Sequence, residues 1–550
     1  MAAELQALMS GSLPADDRFC GRLAFGTGGL RGVLGAGTNR MNTYTVRQAT
    51  QGLANHLLKT RKSVSIAIAY DSRIKSRLFA EQAACVMAAN RITAYIYPRL
   101  MPTPALSFTV RHLQCDAGIC ITASHNPPQY NGYKVYASDG CQITTEAAEA
   151  ISAEIARVDA FADIQICPFD PHVNPYIRYI DEVVVEAYLK EIMNQRLLSG
   201  SQEPLKIVYS PLHGAGQECV KRILRTGGYK DVHIVPEQEM PDGYFRTCPS
   251  PNPEEDSALE LSLQLARQRN ADLVLATDPD CDRVGVAAYD NGRYVRLNGN
   301  ELGILLLHYI CTIRAVRSDM PENPVIIKTI VTSEMAAAIA KSFGVSVWNV
   351  LTGFKFIGEQ IGLMEKQHCL ERYLFGFEES CGYLTGTYVR DKDAVSAVLM
   401  VCDMAAYHKS QHKTLPMVLE ELYEQFGYHL SSLDSFTFSG ASGRRRMQRF
   451  MHTLRENPHA AAAFELKSVM DYSVGGAQGP DLPVLPPSDV LQLRYQDESL
   501  VTVRPSGTEP KLKVYCCVQG GSKADAKARL AALQTAFSSF IAQCEMDDNT

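Results

Sequence analysis

A hydroxyl that could carry covalent chemistry stands in Thr122-Ala123-Ser124-His125-Asn126-Pro127, directly after the apolar stretch 117–121. A short buried strand ending in such a turn delivers one nucleophilic oxygen to the sheet edge where open α/β folds build their sites. In isolation the turn also has a structural explanation, because Ser and Asn before Pro often hydrogen-bond their own backbone. Three further motifs in the chain favour Ser124 as a nucleophile.

Three carboxylates follow another apolar run, in Asp278-Pro279-Asp280-Cys281-Asp282-Arg283. Side chains at alternate positions of a short loop can converge on one hard cation, and oxygen-only ligands favour magnesium over zinc or copper. A calcium EF-hand is excluded because Arg283 occupies the position of the turn glycine and Tyr289 that of the bidentate glutamate. The alternative is a solvated acidic turn, in which three clustered carboxylates would repel one another.

Two basic positions could hold phosphate. Arg283, beside the acidic loop, could grip phosphate oxygens bidentately, or could simply pair with the aspartates. Arg504-Pro505-Ser506-Gly507-Thr508-Glu509-Pro510-Lys511 combines an arginine, two hydroxyls, a flexible glycine and a lysine in one loop. Such a loop makes an anion-binding nest, whereas a plain hairpin turn would not account for Arg504 and Lys511 on its flanks.

A carboxylate and a hydroxyl stand between glycines in Gly376-Phe377-Glu378-Glu379-Ser380-Cys381-Gly382. A protein can use this pair to bind adjacent sugar hydroxyls, with the carboxylate accepting both hydrogen bonds. The competing explanation is a pair of glutamates at the start of a helix.

The elements that must position these motifs alternate between strand-length apolar runs and amphipathic helical patterns, which is typical of α/β units. From about residue 430 the pattern changes to Ser/Phe/Thr-rich strands, a Gly/Pro-rich loop over 475–488, and a final helix. We predict three successive α/β mixed-sheet domains and a smaller C-terminal α+β domain. The predicted boundaries are 1–200 with Ser124, 201–320 with the aspartates, 321–430 with Glu378, and 431–550 with Arg504.

Composition limits the function classes. The 550 residues have 46% hydrophobic and 21% charged residues and a net charge of −6, so no basic stripe predicts nucleic-acid binding. The sixteen cysteines are scattered without CxxC or paired zinc spacing, which favours reduced thiols. Residues 1–17 lack a signal-peptide pattern, and the apolar run 302–313 is too short to span a bilayer. We therefore expect a cytoplasmic protein with no membrane partner.

In this order, the four motifs resemble those of the α-D-phosphohexomutase superfamily over nearly the whole chain. The segments most similar to bacterial α-phosphoglucomutases and related phosphopentomutase-type enzymes are 25–32, 236–238, 250–255 and 351–355. The resemblance implies four domains around a central active-site cleft and an isomerase that moves phosphate within a sugar. It also implies one Mg²⁺ per subunit, glucose 1,6-bisphosphate as intermediate and activator, and a monomer or weak homodimer.

The resemblance assigns a role to each motif. Ser124 would carry the phosphoryl group, and would share the metal ion with Asp278, Asp280 and Asp282. The catalytic set would also include Arg31 and His125, with Lys134 or Lys355 as the general acid/base. The remaining expected substrate-binding residues are Arg283, Thr352, Gly353, Glu378, Ser380, Arg504, Ser506, Gly507, Thr508 and Lys511.

The sugar is less well defined by these motifs. Thr352-Gly353-Phe354-Lys355 is closer to the phosphoglucomutase pattern than to the Thr-Gly-His of phosphomannomutase-like relatives, which favours glucose. Glu378 and Ser380, however, are expected to bind O3 and O4, which glucose and mannose present identically. Phosphomannomutase and phosphopentomutase activity therefore remain alternatives.

Other function classes fit less well. A metal-dependent sugar phosphatase could share Ser124 and the aspartates, but it would not need a second phosphate site at Arg504. A kinase is disfavoured because the chain has no GxxxxGK[ST] motif. A non-catalytic sugar-phosphate sensor would be expected to lack Ser124 or one of the aspartates, and the chain retains all of them. We predict small-molecule sugar phosphates as the partners.

Overall fold

The computed structural model describes residues 2–26, 28–197, 203–438, 443–477, 482–506 and 511–546. Four sheets of four to six strands follow one another along the chain, each with its own helices. We call the four sheets, with the helices that follow or flank them, units I to IV. The predicted α/β architecture of three mixed sheets and a smaller C-terminal α+β unit is confirmed.

Unit I has a six-stranded sheet in the order β1-β5-β4-β2-β3-β6. Its strands are β1 (Gly29–Val33), β2 (Ser65–Tyr70), β3 (Thr93–Ile96), β4 (Ala117–Ile121), β5 (Tyr130–Ala137) and β6 (Ile177–Tyr179). Its helices are α1 (Ala2–Met9), α2 (Asp16–Phe19), α3 (Thr43–Leu58), α4 (Ser76–Ala89), α5 (Thr103–His112), α6 (Thr145–Arg157) and α7 (Glu182–Asn194). Strand β4 is buried throughout and runs parallel to β2, so the loops after both strands meet at one sheet edge.

Unit II has a five-stranded sheet in the order β11-β10-β9-β7-β8. Its strands are β7 (Lys206–Ser210), β8 (Asp231–Ile234), β9 (Leu273–Thr277), β10 (Val284–Asp290) and β11 (Arg293–Leu297). Its helices are α8 (Gly216–Thr226), α9 (Pro236–Glu239) and α10 (Asp256–Arg269). The acidic loop 278–283 connects the antiparallel pair β9 and β10, at the carboxyl end of the central strand.

Unit III has a four-stranded sheet in the order β13-β12-β14-β15. Its strands are β12 (Val325–Thr329), β13 (Ser346–Val350), β14 (Tyr373–Glu378) and β15 (Gly382–Thr385). Its helices are α11 (Gly299–Arg317), α12 (Met335–Ser342), α13 (Phe354–Lys366), α14 (Ala394–Lys409) and α15 (Leu415–Phe426). Helix α11 packs on α12 and β14 of this unit. Residues 318–324, which follow α11 and precede β12, therefore connect two elements of unit III.

Helix α14 lies between units II and III and is buried on nearly all sides. It packs on α8 of one unit and on β15 of the other. Asp393 caps its first turn by accepting hydrogen bonds from the backbone N–H groups of Val395 and Ser396. The hydroxyls of Tyr188 and Tyr388 donate to the same carboxylate. The helix therefore joins the two sheets rather than lying on the protein surface.

Unit IV is an antiparallel sheet in the order β16-β22-β21-β20-β17 with a separate two-stranded ribbon. Its strands are β16 (Tyr428–Thr437), β17 (Leu466–Asp471), β18 (Gly476–Ala477), β19 (Val484–Leu485), β20 (Leu491–Tyr495), β21 (Leu500–Pro505) and β22 (Lys511–Gly520). Its helices are α16 (Gly443–Glu456) and α17 (Lys523–Met546). The predicted last helix is present and packs through an apolar face, with Leu533, Phe537 and Ile541 buried.

Among the described residues, no helix is both long enough and apolar enough to cross a membrane.

Candidate active site

Ser124 lies at the contact between units I and II, in the turn after β4. Its backbone is in the left-handed region, with φ of 51°, which costs a non-glycine residue on the order of 1 kcal/mol or more and is common at active sites. Its Oγ donates to Asp278 Oδ2 at 2.8 Å, and its N–H donates to Thr122 Oγ1 at 2.8 Å. The side chain lines the cleft although the residue is only 4% exposed. The turn therefore directs one hydroxyl from unit I towards the acidic loop of unit II.

The acidic loop brings together Asp278, Asp280 and Asp282, all buried, with oxygens that lie within 4.8 Å of one another. Asp278 Oδ1 accepts the backbone N–H groups of Asp282 and Arg283, each at 3.0 Å, which fixes the loop. Burial, with the Asp282 and Asp280 carboxylates nearby, raises the pKa of Asp278 well above its usual range. Three ionised carboxylates at this spacing therefore require a compensating cation.

The donor set fits a hard divalent cation. Oδ1 of Asp280 and Oδ1 of Asp282 are buried and have no hydrogen-bond partner among the described residues. Buried polar atoms are rarely left unsatisfied in folded proteins, and an oxygen-only cluster is the ligand set that Mg²⁺ prefers. With Asp278 Oδ2 and Ser124 Oγ at hand, these atoms could hold such an ion.

Two lysines approach the same carboxylates. Lys134, on β5, places its Nζ 2.8 Å from Asp280 Oδ2 and 3.3 Å from Asp282 Oδ2. Lys392 places its Nζ 3.0 Å from Asp282 Oδ2. Burial alone would lower the pKa of Lys134, but the Asp280 and Asp282 carboxylates outweigh it and hold that pKa well above its usual range.

Lys355, the other predicted acid/base, is placed differently. It lies in the first turn of α13, half-buried, with its Nζ 5.1 Å from the centre of the Phe356 ring. Burial lowers its pKa. The described cleft wall contains its neighbours Thr352, Gly353 and Phe354, but not Lys355 itself. The structure therefore brings Lys134, rather than Lys355, to the acidic loop.

Arg31, His125 and Arg283 line the cleft beside Ser124. Arg283 is paired with Glu254 at 2.6 Å, and Arg31 donates to Asn126 Oδ1 at 3.1 Å. His125 Nδ1 lies 3.2 Å from Ser124 Oγ. Burial, with the charges of Arg283 and Arg31 nearby, lowers the pKa of His125 well below its usual range, so this imidazole is neutral at pH 7.

The predicted sugar loop is the turn between β14 and β15. Glu378 ends β14 and lines the cleft together with Glu379 and Ser380. Glu379 Oε2 accepts the hydroxyl of Thr329 at 3.1 Å, and burial with the neighbouring Glu378 charge raises the pKa of Glu379 to about 7. Glu378 and Ser380 therefore place a carboxylate and a hydroxyl of this turn in the cleft wall.

Unit IV contributes another part of the cleft wall. Arg504, at the end of β21, pairs across the sheet with Lys513 of β22, and both line the cleft with Lys511. The turn begins with the Ser506 N–H, which donates to the Lys511 carbonyl at 2.7 Å. The predicted residues Gly507 and Thr508 lie outside the described residues. Three cationic side chains of unit IV therefore line the cleft.

The cleft has a volume of about 580 Å³ and is lined by all four units. Its wall includes Ser124, Asp282 and Arg283, and also Arg504, Lys511 and Lys513 of unit IV. The Glu378 turn is also part of the wall. A volume of this size suits a small-molecule ligand, and its polar lining suits a charged one.

Sequence reasoning missed Lys392, Lys513 and Thr103 at this site. Lys513 belongs to the motif already noted, two positions after Lys511, and alternation along a strand could have placed both on one face. Thr103, at the start of α5, donates its hydroxyl to Asp280 Oδ2 at 3.0 Å and its N–H to the Asp280 carbonyl at 2.8 Å. Thr103 and Asp280 are 177 positions apart in the sequence, so no local sequence pattern predicts their contact.

Family models match most of the chain. The α/β/α domains I, II and III of phosphoglucomutase/phosphomannomutase match residues 22–161, 186–292 and 298–426 respectively. A phosphoglucomutase of Staphylococcus aureus strain RF122 is 37% identical over 506 residues, covering 91% of this chain and 90% of the relative. The enzyme of strain MRSA252 is 36% identical over 504 residues, covering 90% of each.

Solved structures share the fold. A phosphoglucomutase from Paramecium, pp63/parafusin in an open form, superposes with a TM-score of 0.70 at 18% identity, covering 94% of this chain and 95% of that one. A phosphoglucomutase/phosphomannomutase family protein from Burkholderia thailandensis gives 0.69 at 17% identity, covering 95% and 97%. With the family models and the S. aureus relatives, these matches establish that the chain belongs to the phosphoglucomutase/phosphomannomutase family and is a phosphohexomutase.

Proposed function

We propose that this phosphohexomutase is a phosphoglucomutase, which interconverts glucose 1-phosphate and glucose 6-phosphate through a phosphorylated Ser124 and glucose 1,6-bisphosphate. The observation that carries the proposal is the 2.8 Å contact between Ser124 Oγ and Asp278, in a cleft that unit IV lines with a second cationic cluster. A mutase must bind one phosphate at the nucleophile and another away from it. A hydrolase needs only the first of these sites.

In the proposed reaction, the bond between phosphorus and Ser124 Oγ breaks as the free sugar hydroxyl forms a new bond to phosphorus. The proton of that hydroxyl would pass to the neutral amine of Lys134, whose Nζ lies 2.8 Å from Asp280 in the same cleft. Mg²⁺ on the aspartates would offset the carboxylate charges that otherwise keep this lysine protonated. The bisphosphate then turns end for end, and the reverse step returns the other phosphoryl group to Ser124 and the proton to the sugar oxygen. The bonds formed and broken balance over the cycle.

Asp278, Asp280, Asp282 and the Ser124 oxygen would hold Mg²⁺, one ion per subunit. When bound, this ion offsets negative charge on the carboxylates and on the transferring phosphoryl oxygens. Arg283 and Arg31 would orient the transferring phosphate, with His125 as a neutral hydrogen-bonding neighbour of Ser124.

Glu378 and Ser380 would bind the sugar hydroxyls O3 and O4, next to Thr352 and Gly353 in the cleft wall. Arg504, Ser506, Gly507, Thr508 and Lys511 would bind the phosphate that is not transferring. Glucose is favoured by the S. aureus relatives, which are named phosphoglucomutases. Because O3 and O4 are identical in glucose and mannose, the preference has to be measured against mannose 1-phosphate and ribose 1-phosphate.

We also infer a cytoplasmic enzyme. No disulfide joins any of the sixteen cysteines, all of which lie in the described ranges, and burial raises the pKa of thiols such as Cys219, to about 12. Thiols of this kind are typical of a reducing compartment.

A monomer or weak homodimer stays our prediction for the oligomeric state. Analytical ultracentrifugation at several protein concentrations measures it through the sedimentation of the protein.

The test is a coupled assay with glucose 1-phosphate, Mg²⁺ and a trace of glucose 1,6-bisphosphate. We expect formation of glucose 6-phosphate, a lower kcat/KM for the mannose and ribose phosphates, and loss of nearly all activity in Ser124→Ala. Full activity of that variant would contradict the mutase mechanism. Free phosphate as the main product would instead identify a phosphatase, and a higher kcat/KM for another sugar would reassign the substrate.

A further inference from the structure

Arg73, in the loop after β2, is a buried guanidinium attached to the nucleophile turn. It donates hydrogen bonds to four backbone carbonyls of the segment after β4, those of Ser124, Asn126, Pro127 and Tyr130. Its Nε forms an ion pair with Asp71 Oδ2 at 3.2 Å, with both side chains fully buried. One planar group with several fixed donors therefore determines where the turn places the backbone of Ser124.

The opposite side of this guanidinium is covered by unit II. The segment 240–247 lies between α9 and α10, and we call it the 240–247 loop. Its Phe245 is fully buried, and the Cζ of Arg73 lies 5.0 Å from the centre of the Phe245 ring. An arginine stacked on an aromatic face in a desolvated site is held in both position and orientation.

The 240–247 loop is fixed within its own unit. His213, in the loop after β7, hydrogen-bonds through Nδ1 to the Met240 carbonyl at 2.9 Å and through Nε2 to Thr247 Oγ1 at 2.8 Å. Phe245 has a φ of 47°, and its N–H donates to the Asp242 carbonyl at 3.0 Å. The loop therefore presents the Phe245 ring as part of unit II.

The two units touch backbone to backbone at Gly243. A Cβ at this position would lie 2.6 Å from the Ile74 backbone nitrogen and 2.8 Å from the Ser72 carbonyl oxygen. Such distances are below van der Waals contact, and the atoms met are main-chain atoms on either side of Arg73. Any side chain at position 243 would push the 240–247 loop away from the Arg73 loop.

From these contacts we infer that Arg73 and Phe245 are positioning residues for phosphoryl transfer, which set the geometry of Ser124 when unit II is docked on unit I. Neither residue lies in the described wall of the cleft, so they act through the turn and not on the substrate. Unit II also carries the acidic loop that faces Ser124. The same docking would therefore align the nucleophile and the metal ligands together.

The inference rests on the proposed role of Ser124, and its test is a kinetic one. Phe245→Leu, which removes the aromatic face, is expected to lower kcat by about 10- to 100-fold with KM for glucose 1-phosphate little changed. Arg73→Lys, which keeps the charge but not the planar fork, and Gly243→Ala are expected to show the same pattern. The rate is measured in single turnovers of phosphoenzyme and expressed per phosphorylated Ser124, so that unfolded or unphosphorylated protein does not contribute.

Two variants serve as controls. Phe245→Tyr keeps a ring over Arg73 and is expected to restore most of the rate. Tyr244→Leu removes a second arginine–aromatic contact of the same loop, with Arg246 at 5.0 Å, from a tyrosine that is 59% exposed. It is expected to leave the rate unchanged.

The outcomes separate the inference from the proposed function. Without mutase activity in the unmodified protein, the proposed function fails, and the inference fails with it. If the unmodified protein is active and Phe245→Leu and Arg73→Lys keep its rate per phosphorylated Ser124, the inference alone is overturned. It is also overturned if Phe245→Tyr is as slow as Phe245→Leu, because the ring would then have no positioning role.

Discussion

Ser124 and Asp278 are 154 residues apart in the chain, yet the Ser124 hydroxyl donates to Asp278 Oδ2 at 2.8 Å. The contact joins the carboxyl ends of two central strands that belong to different sheets. A hydroxyl beside three buried carboxylates is not a stable arrangement without positive charge, which Lys134 and Lys392 supply in part. This relationship leads to predictions about metal binding, proton transfer and substrate orientation.

Mg²⁺ is expected to stabilise the protein as well as activate it, because it binds carboxylates that repel one another in the folded state. At a concentration about 100 times its Kd, a bound ion adds about 2.7 kcal/mol to the free energy of unfolding. Thermal unfolding with Mg²⁺ and with EDTA measures this difference. Asp280→Asn should reduce the Mg²⁺-dependent rise in Tm and the activity, whereas Asp256→Asn, at a side chain that is 93% exposed, should change neither. Equal Mg²⁺ responses of the two variants would contradict metal binding at the acidic loop.

The two candidate acid/base lysines are distinguished by their surroundings. Lys134→Ala should lower kcat by about 10²- to 10⁴-fold, the usual contribution of a general acid/base, since its Nζ lies in the cleft beside Asp280. Lys355→Ala should lower it much less, because its Nζ lies over the Phe356 ring. Steady-state kinetics of both variants, with Lys134→Arg as a charge-retaining control, make the comparison. A larger loss in Lys355→Ala than in Lys134→Ala would reverse the assignment.

Loss of the proposed second phosphate site, in unit IV, should affect substrate orientation. Arg504→Ala is expected to lower kcat/KM for glucose 1-phosphate by about 10- to 100-fold, the cost of one charge-assisted hydrogen-bonding partner. Phosphorylation of Ser124 by an excess of bisphosphate should still occur, because Ser124 and its acidic loop remain intact. Intact-mass spectrometry and kinetics on the same preparation separate these two effects. Unchanged kcat/KM in Arg504→Ala would argue against a phosphate site in unit IV.

Much of this site could be predicted from local sequence. Asp278, Asp280 and Asp282 lie in one loop, and Ser124 follows a buried strand, so both motifs are visible without knowledge of the fold. Lys392 could not be placed in this way. It reaches Asp282 only because the β14–β15 hairpin and the start of α14 return the chain to the acidic loop.

The fold was predictable for a similar reason. The apolar run of β4 lies at the observed bounds Ala117–Ile121, because all five residues are buried between helical layers. The Gly/Pro-rich stretch over 475–488 was expected to be a loop and contains the short strands β18 and β19. Strands of two residues carry no period that a sequence can reveal. Helix α14 shows the same limit, since its burial on both sides depends on two separate sheets.

Low pH is expected to destabilise the protein through a buried histidine outside the active site. Burial, with His308 and Lys413 nearby, lowers the pKa of His408 on α14 to about 4, from 6.5, against the smaller opposing influence of Glu421. The folded state then binds fewer protons than the unfolded state between these values, so stability falls as pH drops below 6.5. The slope is up to about 1.4 kcal/mol per pH unit.

Replacement of this imidazole tests the pH effect. The Tm of His408→Phe should vary less between pH 6.5 and 4 than that of the unmodified protein, as measured by differential scanning calorimetry. His412→Asn, at an exposed position just beyond the same helix, should retain the full pH dependence. Parallel pH profiles for His408→Phe and the unmodified protein would rule out this histidine as the cause.

The central claim is that Ser124 lends and recovers the phosphoryl group. The most direct measurement uses enzyme labelled with ³²P from glucose 1,6-bisphosphate, mixed with unlabelled glucose 1-phosphate and Mg²⁺ in a single turnover. We predict that the label starts on Ser124, as located by peptide mass spectrometry, and leaves as sugar bisphosphate and then glucose 6-phosphate. Label released mainly as inorganic phosphate, or retained equally by Ser124→Ala, would contradict the claim.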